Sequence, residues 1–324
     1  MAEPLLDLDG ARVWVAGHRG MVGSAIVRRL ADEPVAEVVT AGSDEVDLRR
    51  QSDTEEFVAR VRPDVAIIAA AKVGGIHANR SAPGEFLYNN LMTSANAIEA
   101  CRQAGVEKTV VLGSSCIYPR EAPQPMREEH LLTGPLEETN EAYAIAKIAA
   151  LEQAKFYRAQ YGMAAISLMP TNLYGPGDNF DLETSHVLPA LLRKIHEAKV
   201  EGRGEVEVWG SGRPRREFLH VDDVADATVF ATRSYDGEMH LNVGTGQDLT
   251  IRELAETIAD VVGWDGELVF DPSMPDGTPR KLLDVSRLAE LGWSPRIGLR
   301  EGIADTYRWY LEHQQEARGV GAGR

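Results

Sequence analysis

The sequence predicts an α/β chain, a Rossmann-type doubly wound parallel sheet with a smaller C-terminal α/β domain. Three observations lead there. Short apolar stretches alternate with longer amphipathic ones through the first half; one stretch, Val65-Ala-Ile-Ile-Ala-Ala70, is apolar throughout; and spaced glycines join the first stretch to the first amphipathic segment. Strands alternating with helices imply right-handed crossovers and a parallel sheet. An unbroken apolar strand is one covered on both faces.

Taken in order, the strands expected are Arg12–Ala16, Val35–Thr40, Val65–Ala70, Thr109–Gly113 and Ala164–Met169. Between them the helical period predicts Met21–Ala31, Thr54–Arg62, Phe86–Ala104 and Glu141–Tyr161. After Met169 the pattern loosens, and Pro170–Asp181, rich in Gly, Pro and Asn, reads as loop. Then come a helix at Val187–Ala198, short strands at Val206–Trp209, Phe218–His220 and His240–Val243, and helices near Val221–Ala231 and Ile251–Val262. A last helix is expected over Arg300–His313, and the glycine-rich end Gly319–Arg324 is expected to fray.

Composition narrows the function. The 324 residues carry a formal net charge of -16 and a pI near 5.0, a surface that repels polyphosphate, so no nucleic-acid partner is expected. Two cysteines, Cys101 and Cys116, suit neither a disulfide framework nor a zinc cluster, and no metal site is expected. Met1 to Gly10 lacks the basic and apolar regions of a signal peptide, and the most apolar stretch, Val65–Ala71, is too short to span a bilayer. No membrane partner is expected, and the chain reads as cytoplasmic.

The turn Gly17-His18-Arg19-Gly20-Met21-Val22-Gly23 follows an apolar strand and opens a helix. Glycines there permit a tight turn and let the backbone approach a pyrophosphate lying on the helix N-terminus. An acidic residue just after the second strand would hold the ribose hydroxyl of NAD. That place reads Ala41-Gly42-Ser43, with Asp44 slightly later, whereas Arg19 in the loop can pair with a 2′-phosphate. The cofactor expected is NADP(H). Residues 1–170 are expected to form the cofactor-binding domain, receiving later segments such as about 217–245, and 171–324 to form mainly the substrate domain.

Tyr143 and Lys147 lie one helical turn apart on one face. A phenol with its usual pKa of about 10 is a poor general acid–base, and the nearby cation is expected to favour phenolate. Gly113-Ser114-Ser115-Cys116-Ile117-Tyr118-Pro119 ends the fourth strand, where ligands of open α/β sheets bind. Ser114 can hydrogen-bond the same carbonyl oxygen that Tyr143 protonates.

With these residues stand the segments 16–24, 70–76, 112–119, 143–148, 169–176, 216–223 and 276–281. Together they resemble the GDP-L-fucose synthase family of extended short-chain dehydrogenase/reductases, also called GDP-4-keto-6-deoxy-D-mannose 3,5-epimerase-4-reductases, from about Arg12 to His313. The resemblance implies a reductase triad of Ser114, Tyr143 and Lys147 and an epimerising acid–base pair of Cys116 and His186. It implies cofactor contacts from Gly17 through Gly23 (His18, Arg19, Gly20, Met21 and Val22 between them), from Leu112, Gly113, Ser114, Ser115 and Lys147, and from Pro170, Thr171, Asn172, Leu173 and His186. It also implies a GDP-linked 4-keto-6-deoxy sugar held by Lys194, Trp209, Arg216 and Asp276. The chain departs from the family at Ser43, where an arginine can stand for the 2′-phosphate, which leaves more of that task to Arg19. Taken singly, Cys116 also reads as a small core residue, His186 as a cap neighbour, Trp209 as strand packing and Asp276 as a turn terminator.

Three other functions compete. A nucleotide-sugar 4,6-dehydratase would place an Asp-Glu pair after the active-site Ser, where this chain has Ser115-Cys116-Ile117. A 4-epimerase would not need Cys116 and His186. A sensor binding NADP without turnover would not need Ser114, Tyr143 and Lys147 together. A homodimer through Phe86–Ala104 and Glu141–Tyr161 is expected, from the analogy and from Leu91, Ala95 and Ile98 at helical spacing.

Overall fold

Strand β1 (Arg12–Ala16) lies inside the chain's main sheet, next to one edge strand, and is buried from Val13 onward, because an apolar strand between two layers must be covered on both sides. The structure, a computed structural model, describes residues 5–274, 276–314 and 317. Helix α1 (Met21–Leu30) leads to β2 (Glu37–Val39), α2 (Gln51–Val61) to β3 (Val65–Ile68), and α3 (Ile76–Ser81) with α4 (Pro83–Ala104) to β4 (Lys108–Leu112). Helix α5 (Glu141–Tyr161) then precedes β5 (Ala165–Pro170). The spatial order is Leu241–Val243, β5, β4, β3, β1, β2, every pair parallel. This is the doubly wound α/β sheet that the alternation predicts.

Its ends differ from the sequence reading for physical reasons. β2 spans Glu37–Val39 rather than Val35–Thr40, because Pro34 precedes it and Ala36 N donates to Ala11 O before the ladder begins. Pro83 starts α4 three residues before Phe86, as proline suits the first turn of a helix. The expected loop 170–181 contains a strand, Asn172–Tyr174, paired in parallel with Phe218–His220; its partner is remote in sequence, so composition alone hid it. The strand Glu267–Asp271, parallel to Glu205–Trp209, was also not expected. Nor were Arg215–Arg216, Leu249–Thr250 and Arg280–Lys281, which form a small sheet of their own. Gly319–Arg324 lies outside the described residues.

One face of the main sheet packs on α1 and the helix Val221–Ser234, through Ile26, Leu30, Val224 and Val229. The other packs on α2, α4 and α5, through Phe57, Val58, Ala97 and Ile98. Ile98 is therefore core of its own chain and not part of an outward stripe, while Leu91 and Ala95 are half-buried. A separate core joins the helices Val187–Glu201, Ile251–Val262 and Leu299–Glu312 around Leu192, Ile195, Leu254 and Ile258. Among the described residues no helix is long and apolar enough to cross a membrane.

The segments meet at Glu217, which is fully buried. Its Oε1 accepts from Thr245 N (2.6 Å) and Gly246 N (2.7 Å), and its Oε2 from Leu283 N (3.0 Å). Its own carbonyl accepts from Asn172 Nδ2 (2.8 Å) and Thr171 Oγ1 (3.3 Å). One residue thus closes the ends of β5, of the strand Leu241–Val243 and of the 280–283 segment. A glutamine keeps one of the two acceptor oxygens but turns an N–H onto a backbone N–H, leaving a buried donor unpaired. Glu217→Gln is expected to cost about 1–3 kcal/mol, read as a lower urea midpoint; an unchanged midpoint would show that the carboxylate does not hold these segments.

Candidate functional site

The glycine turn between β1 and α1 has the shape an anion requires. Gly17 has φ +86°, and a Cβ on it would lie 2.6 Å from Ala70 Cα; a Cβ on Gly23 would lie 2.2 Å from Gly17 O. The chain can therefore fold tightly here only without side chains. Gly20 caps α1 with no side chain, and His18 Nδ1 is buried without a hydrogen-bond partner. An uncapped helix N-terminus beside a bare glycine turn fits a dinucleotide's diphosphate. Arg19 pairs with Asp44 (3.0 Å), both side chains being largely exposed, and the pair packs on Gly42, where a Cβ would meet both. The carboxyl of Asp44 is held below its usual pKa, first by its own backbone N–H and then by Arg19. Met21 and Val22 open the helix half-buried.

At the C-terminal end of β4, Leu112 and Gly113 lead into a single 3₁₀ turn, Ser115–Ile117. Gly113 leaves room for the buried Met169 side chain, since a Cβ would lie 2.2 Å from Met169 Sδ. Ser114 caps the turn, its Oγ accepting from Cys116 N (3.4 Å). The same side chain favours the ionised forms of the Tyr143 phenol and the Cys116 thiol, against the burial that raises both. Lys147 Nζ donates to Leu112 O (2.8 Å) and lies 5.8 Å from the Tyr143 ring centroid. Ser114, Ser115, Cys116, Tyr143 and Lys147 are thus brought together as the spacing suggests.

Their protonation differs from the expectation. Burial pushes the Tyr143 phenol up, and Lys147 is not among the groups that offset it. Burial also pushes the Lys147 ammonium down to about 8. Lys147 donates to the Leu112 carbonyl, and burial favours the neutral phenol of Tyr143, the form that can donate a proton. Burial raises Cys116 too, while Ser114, Lys281 and Lys147 pull it back. Lys281, which sequence reasoning did not single out, is itself pushed down by burial and held up by Cys116. It sits on the strand Arg280–Lys281, in register with Arg216, a pairing between segments too far apart for spacing to reveal.

His186 caps the helix Val187–Glu201 from its N-terminal side, without a side-chain cap bond. Its side chain is exposed, and the protein around it lowers its imidazole pKa. Pro170, Thr171, Asn172 and Leu173 run from the end of β5 into the next strand, with Thr171 N donating to Val243 O (3.0 Å).

Further out, Lys194 Nζ lies 5.2 Å from the Trp209 ring centroid, and Trp209 is exposed. Burial lowers the Arg216 pKa, and Asp276 and Glu137 oppose that shift. Asp276 accepts from Ser211 N (2.6 Å) and Ser211 Oγ (2.8 Å), so it closes the turn that follows Trp209. The structure thus brings Arg216 and Asp276 together at one end of the second core, and Lys194 and Trp209 beside them.

Residues 13–244 match the NAD dependent epimerase/dehydratase family. The chain is 56% identical over 303 residues to GDP-L-fucose synthase 1 of Arabidopsis thaliana, covering 94% of each chain. It is 54% identical over 317 residues to the GDP-L-fucose synthase of Escherichia coli strain K12, covering 95% of this chain and 99% of that one. Among solved structures, a GDP-L-fucose synthetase from Naegleria fowleri bound to NADP superposes with a TM-score of 0.89 at 29% identity, over 98% of this chain and 99% of the other.

These findings support NADP(H) as the cofactor, and the glycine turn fits it. Because Arg19 is the cation of that turn, Arg19→Ala is expected to raise the NADPH concentration needed for half-maximal rate and leave that for NADH little changed. Equal losses with the two cofactors would assign Arg19 to the loop or the diphosphate.

Proposed function

This chain belongs to the NAD dependent epimerase/dehydratase family and, within it, to the GDP-L-fucose synthases, and on that premise we propose that it converts GDP-4-keto-6-deoxy-D-mannose to GDP-L-fucose by 3,5-epimerisation and reduction of the 4-keto group. The observation that carries this reading is the gathering of Ser114, Cys116, Tyr143 and Lys147 at the end of β4, where the Ser114 side chain acts on both the Tyr143 phenol and the Cys116 thiol. A carbonyl oxygen held there has a proton donor beside it, and the carbons flanking that carbonyl have a thiol within reach. Gly17–Gly23 and Lys147 would hold NADPH, which would supply the hydride when bound.

Tyr143, a neutral phenol, donates its proton to the C4 oxygen. Loss of a proton from C3 or C5 gives an enolate whose charge develops on that same oxygen, so Ser114 and Tyr143 serve both chemistries. Inversion needs a base on one face and an acid on the other. Cys116, whose thiol burial pushes up while Ser114, Lys281 and Lys147 pull it back, and His186, whose imidazole pKa is lowered by its surroundings, are the pair that exchanges those protons. Arg216 supplies charge for the diphosphate, with Lys194, Trp209 and Asp276 around the nucleotide. The chain divides in this reading into a cofactor half to about residue 170, joined by 217–245, and a substrate half. Two buried unpaired cysteines suit the reducing cytoplasm.

The homodimer belongs to the same proposal. Tyr88 on α4 and Ile145, Phe156 and Tyr161 on α5 are exposed large apolar side chains on two helices that pack side by side, a surface fit for a second copy. Light scattering at micromolar concentration is expected to give twice the 35.4 kDa chain mass; a monomer mass would remove this part.

The chemistry is tested by supplying GDP-4-keto-6-deoxymannose and NADPH in deuterated water and analysing the product by NMR. Tyr143→Phe is expected to slow reduction by about 10²-fold or more. Cys116→Ser and His186→Asn are expected to lose deuterium at C3 and C5 while still binding NADPH. Full deuterium incorporation in both variants, or normal turnover in Tyr143→Phe, would overturn the assignment.

A further inference from the structure

The segment leading into His186 is a tight turn made by its own side chains. Asp181 Oδ1 accepts from Glu183 N (3.1 Å), Thr184 N (2.9 Å) and Thr184 Oγ1 (2.8 Å). Ser185 N donates to Asp181 O (3.0 Å), and Asn179 Nδ2 donates to Thr184 Oγ1 (3.1 Å). Such a turn has a fixed shape, but nothing in it fixes where it sits relative to the sheet that carries Ser114, Cys116 and Tyr143.

That placement comes from the stretch after β3. Gly75 N donates to Thr184 O (2.8 Å), joining the two segments backbone to backbone. A Cβ on Gly75 would lie 2.5 Å from Ser185 O and 3.3 Å from Thr184 O. Gly75 has φ -67°, which any residue adopts, so the site requires glycine for space and not for backbone freedom. Gly75 is itself anchored. The buried Asn79 donates from Nδ2 to Gly74 O (2.8 Å) and Gly75 O (3.0 Å). Asn90 of α4 accepts from Lys72 N (2.8 Å) and donates to Lys72 O (3.0 Å). Residues 72–75 are therefore a rigid extension of the sheet, and the turn before His186 is seated on it in direct backbone contact.

We propose that Gly75 is the positioning residue for His186: its bare backbone seats the 179–185 turn against the sheet and so sets the imidazole against the sugar ring, with no part in the reduction. This rests on the reading that His186 exchanges a proton with the sugar. Gly75 touches neither the glycine turn nor Ser114, Tyr143 or Lys147 through any described contact, so the contact divides the two chemistries of the site. Adding one methyl group at Gly75 must push the Ser185 carbonyl away, because its nearest neighbour there is backbone rather than a yielding side-chain tip. His186 follows that carbonyl directly in the chain and moves with it.

The test is Gly75→Ala in the full chain, followed in deuterated water with NADPH and GDP-4-keto-6-deoxymannose. Deuterium incorporation at C3 or C5 is expected to fall by about 10²-fold, the cost of a displacement of about 1 Å. NADPH affinity is expected to be unchanged, and the product to shift toward the sugar reduced without epimerisation. Gly84→Ala, where a Cβ meets nothing within 4 Å, serves as the nearby control and is expected to behave as the unaltered chain. Asp181→Ala loosens the same turn from its other side and is expected to shift the same ratio of exchange to reduction. Wild-type exchange in a Gly75→Ala protein that binds NADPH normally would overturn the proposal. So would wild-type exchange in Asp181→Ala should Gly75→Ala fail to fold. His186→Asn run alongside separates the two ideas, since full exchange in that variant removes the role of His186 itself, whereas exchange lost there but kept in Gly75→Ala removes only the positioning.

Discussion

A single buried carboxylate ties the ends of three chain segments together. Glu217 stands where β5, the strand Leu241–Val243 and the 280–283 segment end, and it accepts backbone N–H groups from two of them while its carbonyl receives the third. Strand ends in an open parallel sheet are where backbone groups run out of partners and where ligands bind. A side chain that satisfies three such groups at once lets the strands stop abruptly and leaves the crevice beyond them shaped. Gly244 belongs to the same arrangement, since a Cβ there would lie 2.3 Å from Glu217 Oε1. The position of Lys281 facing Cys116 depends on it as well, because Leu283, two residues on, is one of the groups Glu217 binds.

Burial governs the chemistry inside that crevice. Tyr143, Cys116, Lys147 and Lys281 are each pushed toward their neutral forms by the loss of water. The ionic attractions between thiol and ammonium groups work against that push without cancelling it. A site so balanced can hold a proton on the phenol and still let the thiol part with one, which is the combination that a carbonyl reduction joined to an epimerisation requires.

Much of this was legible in the sequence, and for identifiable reasons. Helix α5 ends where expected because Gly162 takes the left-handed conformation that stops a helix, with φ 67°. The helix Ile251–Val262 starts where expected because Thr250 and Glu253 form a capping box. Tyr143 and Lys147 share a helix face, so their meeting needed only the helical period. Local signals of this kind do not extend to pairings across the chain. Two-residue strands such as Arg215–Arg216 and Arg280–Lys281 carry no periodicity, and Lys281 reaches Cys116 only through them. The bond from Lys147 to the Leu112 carbonyl was likewise hidden, because tertiary packing settles it. Gly75 was visible as part of a matching segment, but its reason, the carbonyl of Ser185, lies in another part of the fold.

The strand Leu241–Val243 and the helix Val221–Ser234 complete the main sheet only after the chain has left it to build much of the second core. A ribosome therefore releases all of β1 to β5 well before the edge strand and one covering helix exist. With synthesis at about 5–20 residues per second, the sheet spends seconds with an apolar face and an unpaired edge in water. That interval is when a growing chain of this kind is most exposed to sticking to its neighbours. Trp293 and Leu288 join the same face later still. The first half of this protein, although it reads as a self-sufficient nucleotide-binding unit, is thus a late-finishing one.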